Sequence, residues 1–305
     1  MQPRVAILIL CYNGMADTLA CLESLRHVEY PQARYEVVVL DNASSDATVE
    51  QVRSQFPEVT VIENGANLGF AAGNNVGLRY ALAQGFDYAL LLNNDTEVVP
   101  DLLQRMVEVA EADSTIGVVG PTITYYERPD LIWSAGGSID WQHGTCVMPE
   151  HGQPDLGRRG DPRAVDFVTG CALLVKRAAL KQAGLLDERF FMYFEETEWC
   201  VRIARAGFRI LQVPTALVRH KIPLNARYDK EYLAYYMTRN RLLFLWATHA
   251  RWSTRCMAMS QDIRTYLSIC LRPKWRNRPG RVGMREAWFD FWRGRFGQWR
   301  QQLPG

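Results

Sequence analysis

Short apolar runs alternating with helical patterns through the first 125 residues constrain this chain more than any other feature. Residues 5–10, 36–40, 59–62, 88–92 and 117–123 read as buried strands. Between them, residues 16–28, 46–55, 71–84 and 100–112 carry helical patterns, the last with Pro100 at a first helical position and Asp101 beside it. Strands separated by single helices predict an α/β architecture with a mainly parallel, Rossmann-like sheet and right-handed crossovers. Ligands of such sheets bind beyond the carboxyl ends of the strands, so those ends are where chemistry is expected.

Four consecutive strand ends are polar. The first runs into Cys11-Tyr12-Asn13-Gly14, the second into Asp41-Asn42-Ala43-Ser44-Ser45-Asp46, the third leads to a glycine-rich stretch from Asn67 to Gly77, and the fourth ends in Asn93-Asn94-Asp95-Thr96. Ser44, Ser45 and Asp46 precede a helix and are explained by capping. Asp41 and Asp95 each close an apolar run, and turn formation alone explains them less well. No GxGxxG follows the first strand and no GxxxxGK[ST] occurs, which argues against a dinucleotide-dependent dehydrogenase and a P-loop NTPase. A nucleotide diphosphate would then need another partner for its charge. A divalent cation on a carboxylate is the obvious one, and Mg²⁺ or Mn²⁺ prefers oxygen ligands.

Residues 126–164 lose the rhythm and read as an irregular excursion over a site. Regular structure resumes at 165–176, then a helix from about 195 to 206 closed by Gly207, strands at 208–213 and 216–219, and a long helix over 229–248. The seven cysteines are scattered and odd in number, with no CxxC pair, and read as reduced thiols of a cytoplasmic protein. The opening residues read as a core strand instead of a leader, and the apolar run 242–250 is about half of the ~20 residues a membrane span needs.

Charge is distributed unevenly. Residues 251–305 hold 12 Lys/Arg against 3 Asp/Glu, a surplus of nine, so the first 250 residues carry −7 within an overall +2. The same segment holds five of the nine tryptophans. On one continuous helix Trp288, Phe289, Trp292, Phe296 and Trp299 would form an aromatic stripe behind the basic cluster 272–281. Either that helix docks on the body, or it attaches to an anionic membrane surface.

The first strand's Tyr-Asn, LDNASSD (40–46), NLGFAAGNN (67–75), LLNNDT (91–96), FVTGCALLVKR (167–177) and DERFFMYFEETEWCVRIARAGFRI (187–210) together resemble glycosyltransferase family 2, in its rhamnosyltransferase-like bacterial branch. The resemblance spans about residues 4–248, with a weaker echo in REAWFDFWRGRFG (285–297). It implies a GT-A fold: a catalytic domain over 1–248, with a nucleotide-sugar half (1–125) and an acceptor half (126–248), and a helical basic and aromatic extension over 249–305.

The resemblance also implies roles. Asp41 would meet the base of the donor, with Leu10, Tyr12 and Asn13 lining the same pocket and Asn67 and Asn94 nearby. Asp95 stands at the last position of the family's DxD motif and would hold the metal, joined by His220; the first position is Asn93. Relatives often carry arginine where Gly73 stands. Glu196 aligns with the usual catalytic base, normally Asp, and Glu195 is its fallback. An acidic first helical turn explains Glu198 equally well. Arg239, in a YYxxRN-like pattern, is a candidate for the diphosphate or a lipid-linked acceptor.

The expected activity is inverting transfer of a sugar from a nucleotide-diphosphate donor to a hydroxyl of a glycan or lipid-linked glycan. Rhamnose from a dTDP- or UDP-linked donor is favoured, with galactofuranose, glucose and N-acetylhexosamine as alternatives. A sugar nucleotidyltransferase is disfavoured because its GxGxRxxP-like loop is missing. A non-catalytic membrane- or nucleic-acid-binding module leaves the ordered carboxylates without a purpose, and no nucleic-acid partner is expected. The expected location is the cytoplasm, peripheral on the inner face of the membrane.

Overall fold

The structure is a computed structural model that describes residues 2–157, 160–224, 230–271 and 280–300. Strands β1 (Val5–Cys11), β2 (Tyr35–Asp41), β3 (Thr60–Glu63) and β4 (Tyr88–Asn93) alternate with helices α1 (Met15–Leu25), α2 (Thr48–Gln55) and α3 (Gly69–Ala83). β5 (Thr96–Val98), α4 (Leu102–Glu111) and β6 (Ile116–Tyr125) complete the first half. The excursion holds β7 (Ile132–Ser134), a hairpin of β8 (Ser138–Asp140) and β9 (Thr145–Val147), and β10 (Arg163–Ala164). β11 (Ala172–Lys176), α5 (Arg177–Ala183), α6 (Glu195–Arg205) and β12 (Arg209–His220) follow, then α7 (Glu231–Ala247), α8 (Trp252–Leu271) and α9 (Arg281–Trp292).

The main sheet runs β10-β12-β6-β11-β4-β1-β2-β3. β3, β2, β1 and β4 are mutually parallel, as are β6 and β12, and β11 joins the two groups antiparallel to both β4 and β6. Along β1, Val5, Ile7 and Ile9 enter one apolar layer while Ala6 and Leu8 enter the other. A sheet covered on both faces needs both sets of side chains apolar, which is why its strands read as unbroken hydrophobic runs. α3 approaches this sheet closely: a Cβ on Gly73 would stand 2.6 Å from Leu10 Cδ1, and one on Gly77 2.7 Å from Leu40 Cδ1. A side chain at 73 would require Leu10 to move.

Several expected boundaries move. The two strands expected at 208–213 and 216–219 are one, β12, whose register with β6 shifts between Val213 and Leu217. Pro214 in that gap has no N–H to give the ladder, so the strand bulges and does not end. Only 172–176 of the expected 165–176 strand joins the sheet. α4 begins at Leu102 with Asp101 as its N-cap, which puts Pro100 outside the helix. Asp229, the expected start of the long helix, and residues 272–279 of the basic cluster lie outside the described residues.

The aromatic stripe is interrupted. α9 ends at Trp292, and Gly294 (φ +65°) and Gly297 (φ +82°) turn the chain. Gly283, Met284, Ala287 and Phe291 are buried, whereas Phe289 and Trp292 are exposed. Trp299 returns to stack on Tyr235 of α7, with centroids 4.9 Å apart. A Cβ on Gly283 would fall 2.2 Å from the Glu231 carbonyl oxygen, so glycine is what lets α9 lie directly on α7. The extension is docked on the body through this face.

Candidate active site

The carboxyl ends of β1, β2 and β4 lie side by side, with Cys11 opposite Asp41 and Leu10 opposite Asn93. Asp41 is buried, and its carboxylate accepts from the Ser44 backbone N–H (3.0 Å) and the Cys11 thiol (3.5 Å). Burial and this carboxylate push the Cys11 thiol far above its ordinary pKa, so it stays protonated as a donor. Asn13 (φ +50°) and Ala43 (φ +63°) bend the two strand ends toward each other, and Asn13 Oδ1 accepts from the Ser45 backbone N–H at 2.7 Å. Asp46 accepts from the backbone N–H groups of Thr48 and Met15, so its role is the structural one expected. Tyr12 is half exposed at the rim. Asn67 Oδ1 accepts from Gly69 N–H (3.0 Å), starting α3, and lies within reach of the Asn42 amide.

Asp95 follows the end of β4. Thr96 Oγ1 donates to the Asn93 carbonyl at 2.7 Å and closes the turn, while Lys221 N–H donates to the Asp95 carbonyl at 2.8 Å. Pairing of β5 with β12 brings in His220, whose Nε2 lies 3.1 Å from Asp95 Oδ1. Burial alone would raise the Asp95 carboxyl, but the hydrogen bond and charge of His220 outweigh it and hold it below its ordinary value. Burial likewise works against a charged His220, yet Cys171 and Asp95 push the ring up to about 10. Cys171 does so without a hydrogen bond of ordinary geometry, since Nδ1 of His220 has no partner among the described residues. The ring of Trp133 packs edge-on against His220 at 4.6 Å.

With the His220 proton displaced by the cation, these two groups fit a divalent cation as a partial shell. Among the described residues no three His, Cys, Asp or Glu side chains converge as a self-sufficient metal site. A carboxylate and an imidazole would leave the remaining positions to diphosphate oxygens and water, the usual manner for Mg²⁺ beside phosphates.

The third component is the start of α6. Asn93 N–H donates to the Cys171 carbonyl at 2.9 Å, and a Cβ on the neighbouring Gly170 would sit 3.8 Å from Glu196 Cβ. This contact chain carries Glu196 to the same sheet edge as Asp95. Glu195 is buried and Glu196 partly so, and neither Oε2 has a hydrogen-bond partner among the described residues. Burial pushes the Glu196 carboxyl up to about 6, and burial with the Glu196 charge raises Glu195 well above its ordinary value. The two carboxyls titrate as a coupled pair, in which loss of the first proton disfavours loss of the second. Glu198 is a buried partner of Arg202 (2.7 Å), which also donates to the Ala183 and Leu185 carbonyls; it is structural.

The approach to α6 is strained. Phe191 (φ +66°), Tyr193 (φ +67°) and Phe194 (φ +74°) are left-handed and none is glycine, at about 1–3 kcal/mol each. The Phe191 carbonyl accepts from Phe70 N–H (2.6 Å) and Ala71 N–H (3.2 Å), which ties this loop to the start of α3.

Two of the residues expected at the donor are engaged within the protein in this structure. Arg239 is buried and bonded to carbonyls of residues 189, 190 and 297, so its guanidinium has no donor left for a phosphate. Asn94 turns its amide to Thr18 Oγ1 (3.0 Å) and the Gly14 carbonyl (3.5 Å), fastening the strand end to α1. Cys171, Trp133 and Gly170 were not singled out in the sequence. For Gly170 the signal was present in FVTGCALLVKR.

Comparison with known proteins gives the arrangement a context. A relative from Haloferax volcanii, the low-salt glycan biosynthesis hexosyltransferase Agl10, is 28% identical over 211 residues, covering 68% of this chain and 66% of that protein. An N-acetylglucosaminyl-diphospho-decaprenol L-rhamnosyltransferase of Mycobacterium tuberculosis is 26% identical over 263 residues, covering 76% and 83%. Among solved structures, a mannosyltransferase from Pyrobaculum calidifontis in complex with GDP-Man and Mn²⁺ superposes with a TM-score of 0.61 at 17% identity, over 99% of this chain and 89% of that one. The curled, mainly parallel sheet is the GT-A fold. The model of glycosyl transferase family 2 matches residues 6–184, more than half of the sequence, and the chain belongs to that family.

Proposed function

We propose that the protein is a metal-dependent, inverting glycosyltransferase that moves rhamnose from a dTDP- or UDP-linked donor to a hydroxyl of a lipid-linked glycan. The observation that carries this reading is the Glu195–Glu196 pair beside Gly170: two buried carboxyls, one poised to ionise near neutrality, at the sheet edge that also bears Asp95 and His220. Glu196 takes the proton of the acceptor hydroxyl as its oxygen attacks the anomeric carbon, and the nucleoside diphosphate leaves from the opposite face. Glu195, coupled to Glu196, disfavours a second negative charge in the pocket. Asp95 and His220 would hold Mg²⁺ or Mn²⁺, which would offset the charge growing on the diphosphate. Asp41, Leu10, Tyr12 and Asn13 receive the base.

Rhamnose and a diphospholipid-borne acceptor are supported by the mycobacterial relative, an N-acetylglucosaminyl-diphospho-decaprenol L-rhamnosyltransferase. A thermal-shift panel of nucleotide sugars with and without Mn²⁺ tests the donor. A ligand at 100 times its Kd stabilises by about 2.7 kcal/mol, and dTDP-rhamnose with Mn²⁺ should give the largest shift. A larger shift from UDP-galactofuranose, UDP-glucose or UDP-N-acetylglucosamine reassigns the sugar. No shift from any of them rejects a nucleotide-sugar donor.

A lipid-linked acceptor is met at a bilayer surface. No helix among the described residues is long and apolar enough to cross a membrane. On α8, however, Ile263, Leu267 and Leu271 recur every four residues and are exposed, with Trp252 exposed at its start and Arg251 and Arg264 beside them. Each basic residue near an anionic surface contributes about 1 kcal/mol, so this face and the basic residues that follow it suit peripheral attachment. Co-sedimentation with phosphatidylserine-containing vesicles should be strong at low salt and weaken as salt rises. Ile263→Asp with Leu267→Asp should abolish it. Equal binding to neutral vesicles, or none to anionic ones, removes the membrane from the proposal.

A further inference from the structure

Arg239 and Asn240, both buried in α7, spend their donors on one loop and one tail. All five N–H donors of Arg239 are accounted for: Nη2 to the Phe190 (2.9 Å) and Arg189 (3.3 Å) carbonyls, Nη1 to the Gly297 carbonyl (2.6 Å) and Tyr235 hydroxyl (3.1 Å), and Nε to Asn240 Oδ1 (2.9 Å). The Asn240 amide reaches the carbonyls of Phe190 (2.9 Å), Met192 (2.7 Å) and Tyr193 (2.9 Å). These carbonyls belong to the strained loop that ends where α6 begins, two residues before Glu196.

The C-terminal tail closes the same assembly from the other side. Gly297 N–H donates to the Arg189 carbonyl at 2.9 Å, so residue 297 touches the loop directly and also through Arg239. Trp299 N–H donates to the Tyr236 hydroxyl (2.8 Å), its indole N–H donates to Glu286 (2.7 Å), and its ring stacks on Tyr235. Tyr236 in turn stacks on Phe191, with centroids 5.6 Å apart and planes 13° from parallel. The left-handed backbone at residues 191, 193 and 194 persists only where its surroundings over-determine it, and the tail supplies part of those surroundings.

We propose that residues 297–299, with Arg239 and Asn240 as positioning residues, clamp the 189–194 loop, so that docking of the C-terminal tail fixes the place of Glu196 and sets turnover. This rests on Glu196 being the base. A tail that merely adds stability would lower the melting temperature and leave loop and kinetics untouched; a clamp acts on the loop first.

The test uses the full chain. In Trp299→Ala, backbone amides of residues 190–196 should exchange with deuterium about tenfold faster or more, while those of β1 and β4 keep their protection. With the donor of the thermal-shift panel, kcat should fall roughly 10–100-fold at unchanged donor KM, since misplacing a reacting group by about 1 Å has that effect. Trp299→Phe keeps the stacking and the main-chain hydrogen bond and should restore both. If Trp299→Ala does not fold, Tyr236→Phe removes only the acceptor for Trp299 N–H and should still speed exchange in the loop. Unchanged loop exchange in the folded variants, or a loss confined to melting temperature, overturns the clamp. Glu196→Gln run in parallel separates the two readings. If it stays active the base assignment fails, and faster loop exchange in Trp299→Ala still supports a clamp on whatever group the loop positions.

Discussion

Glu196→Gln should lower turnover by roughly 10²–10⁴-fold at neutral pH and leave nucleotide binding unchanged. The amide keeps the size of the side chain and most of its contacts, so the loss reports proton acceptance alone. Glu196 is favoured over Glu195 because it is the more exposed of the two, faces Gly170 at the sheet edge and has its carboxyl pushed up to about 6 by burial. Wild-type rate should therefore climb with pH through about 6 and level off above it. The stability sign is opposite to that of a salt-bridged carboxylate. Because the folded pKa lies above the ordinary one, the contribution is fully present below about 4.5 and is lost as pH rises through about 6. At pH 7 the Gln variant should then melt no lower than wild type, which distinguishes a dead base from a broken fold. A larger loss in Glu195→Gln would transfer the role to that residue.

The sheet was legible because its order depends on local patterns that repeat. Buried parallel strands must be apolar on both faces, and residues 5–10, 36–40 and 88–92 show this directly, as does the polar residue that ends each one. The insertion of β11 between β4 and β6 was not legible, since an antiparallel strand in that slot has the same apolar signature as a parallel one. Pairing of His220 with Asp95 spans 125 residues and came from the family resemblance, not from spacing. The partners of Arg239 were not legible for a related reason: its acceptors are main-chain carbonyls 49, 50 and 58 residues away, which carry no side-chain identity to read. The tail is a different case. Gly294 and Gly297 are turn signals in plain view, and the aromatic periodicity outweighed them wrongly.

Asp95→Ala should reduce transfer by at least about 10³-fold, the scale of removing a principal stabiliser of charge in the transition state. The argument starts from its place. The turn at Asn93–Thr96 is locked by Thr96 and by the Lys221 N–H on the Asp95 carbonyl, so the carboxylate is held at the strand end while its side chain remains 36% exposed. His220, only 6% exposed, stands behind it. With no phosphate-binding glycine loop after β1, this corner is the candidate for diphosphate charge. Alanine also leaves a buried imidazole without its carboxylate, so Asp95→Asn is the companion variant, able to keep a hydrogen bond to His220 while losing the charge. Both should fold, and both should lose the extra thermal stabilisation that Mn²⁺ adds to dTDP or UDP binding in the wild type. EDTA should silence the wild-type protein and Mn²⁺ restore it. Full activity of the wild type in EDTA, or an unaltered Mn²⁺-dependent shift in Asp95→Asn, would remove Asp95 from the metal site and leave the diphosphate to be neutralised by cationic side chains such as Lys221, whose ammonium lies 3.1 Å from Glu97 and 3.6 Å from Asp17.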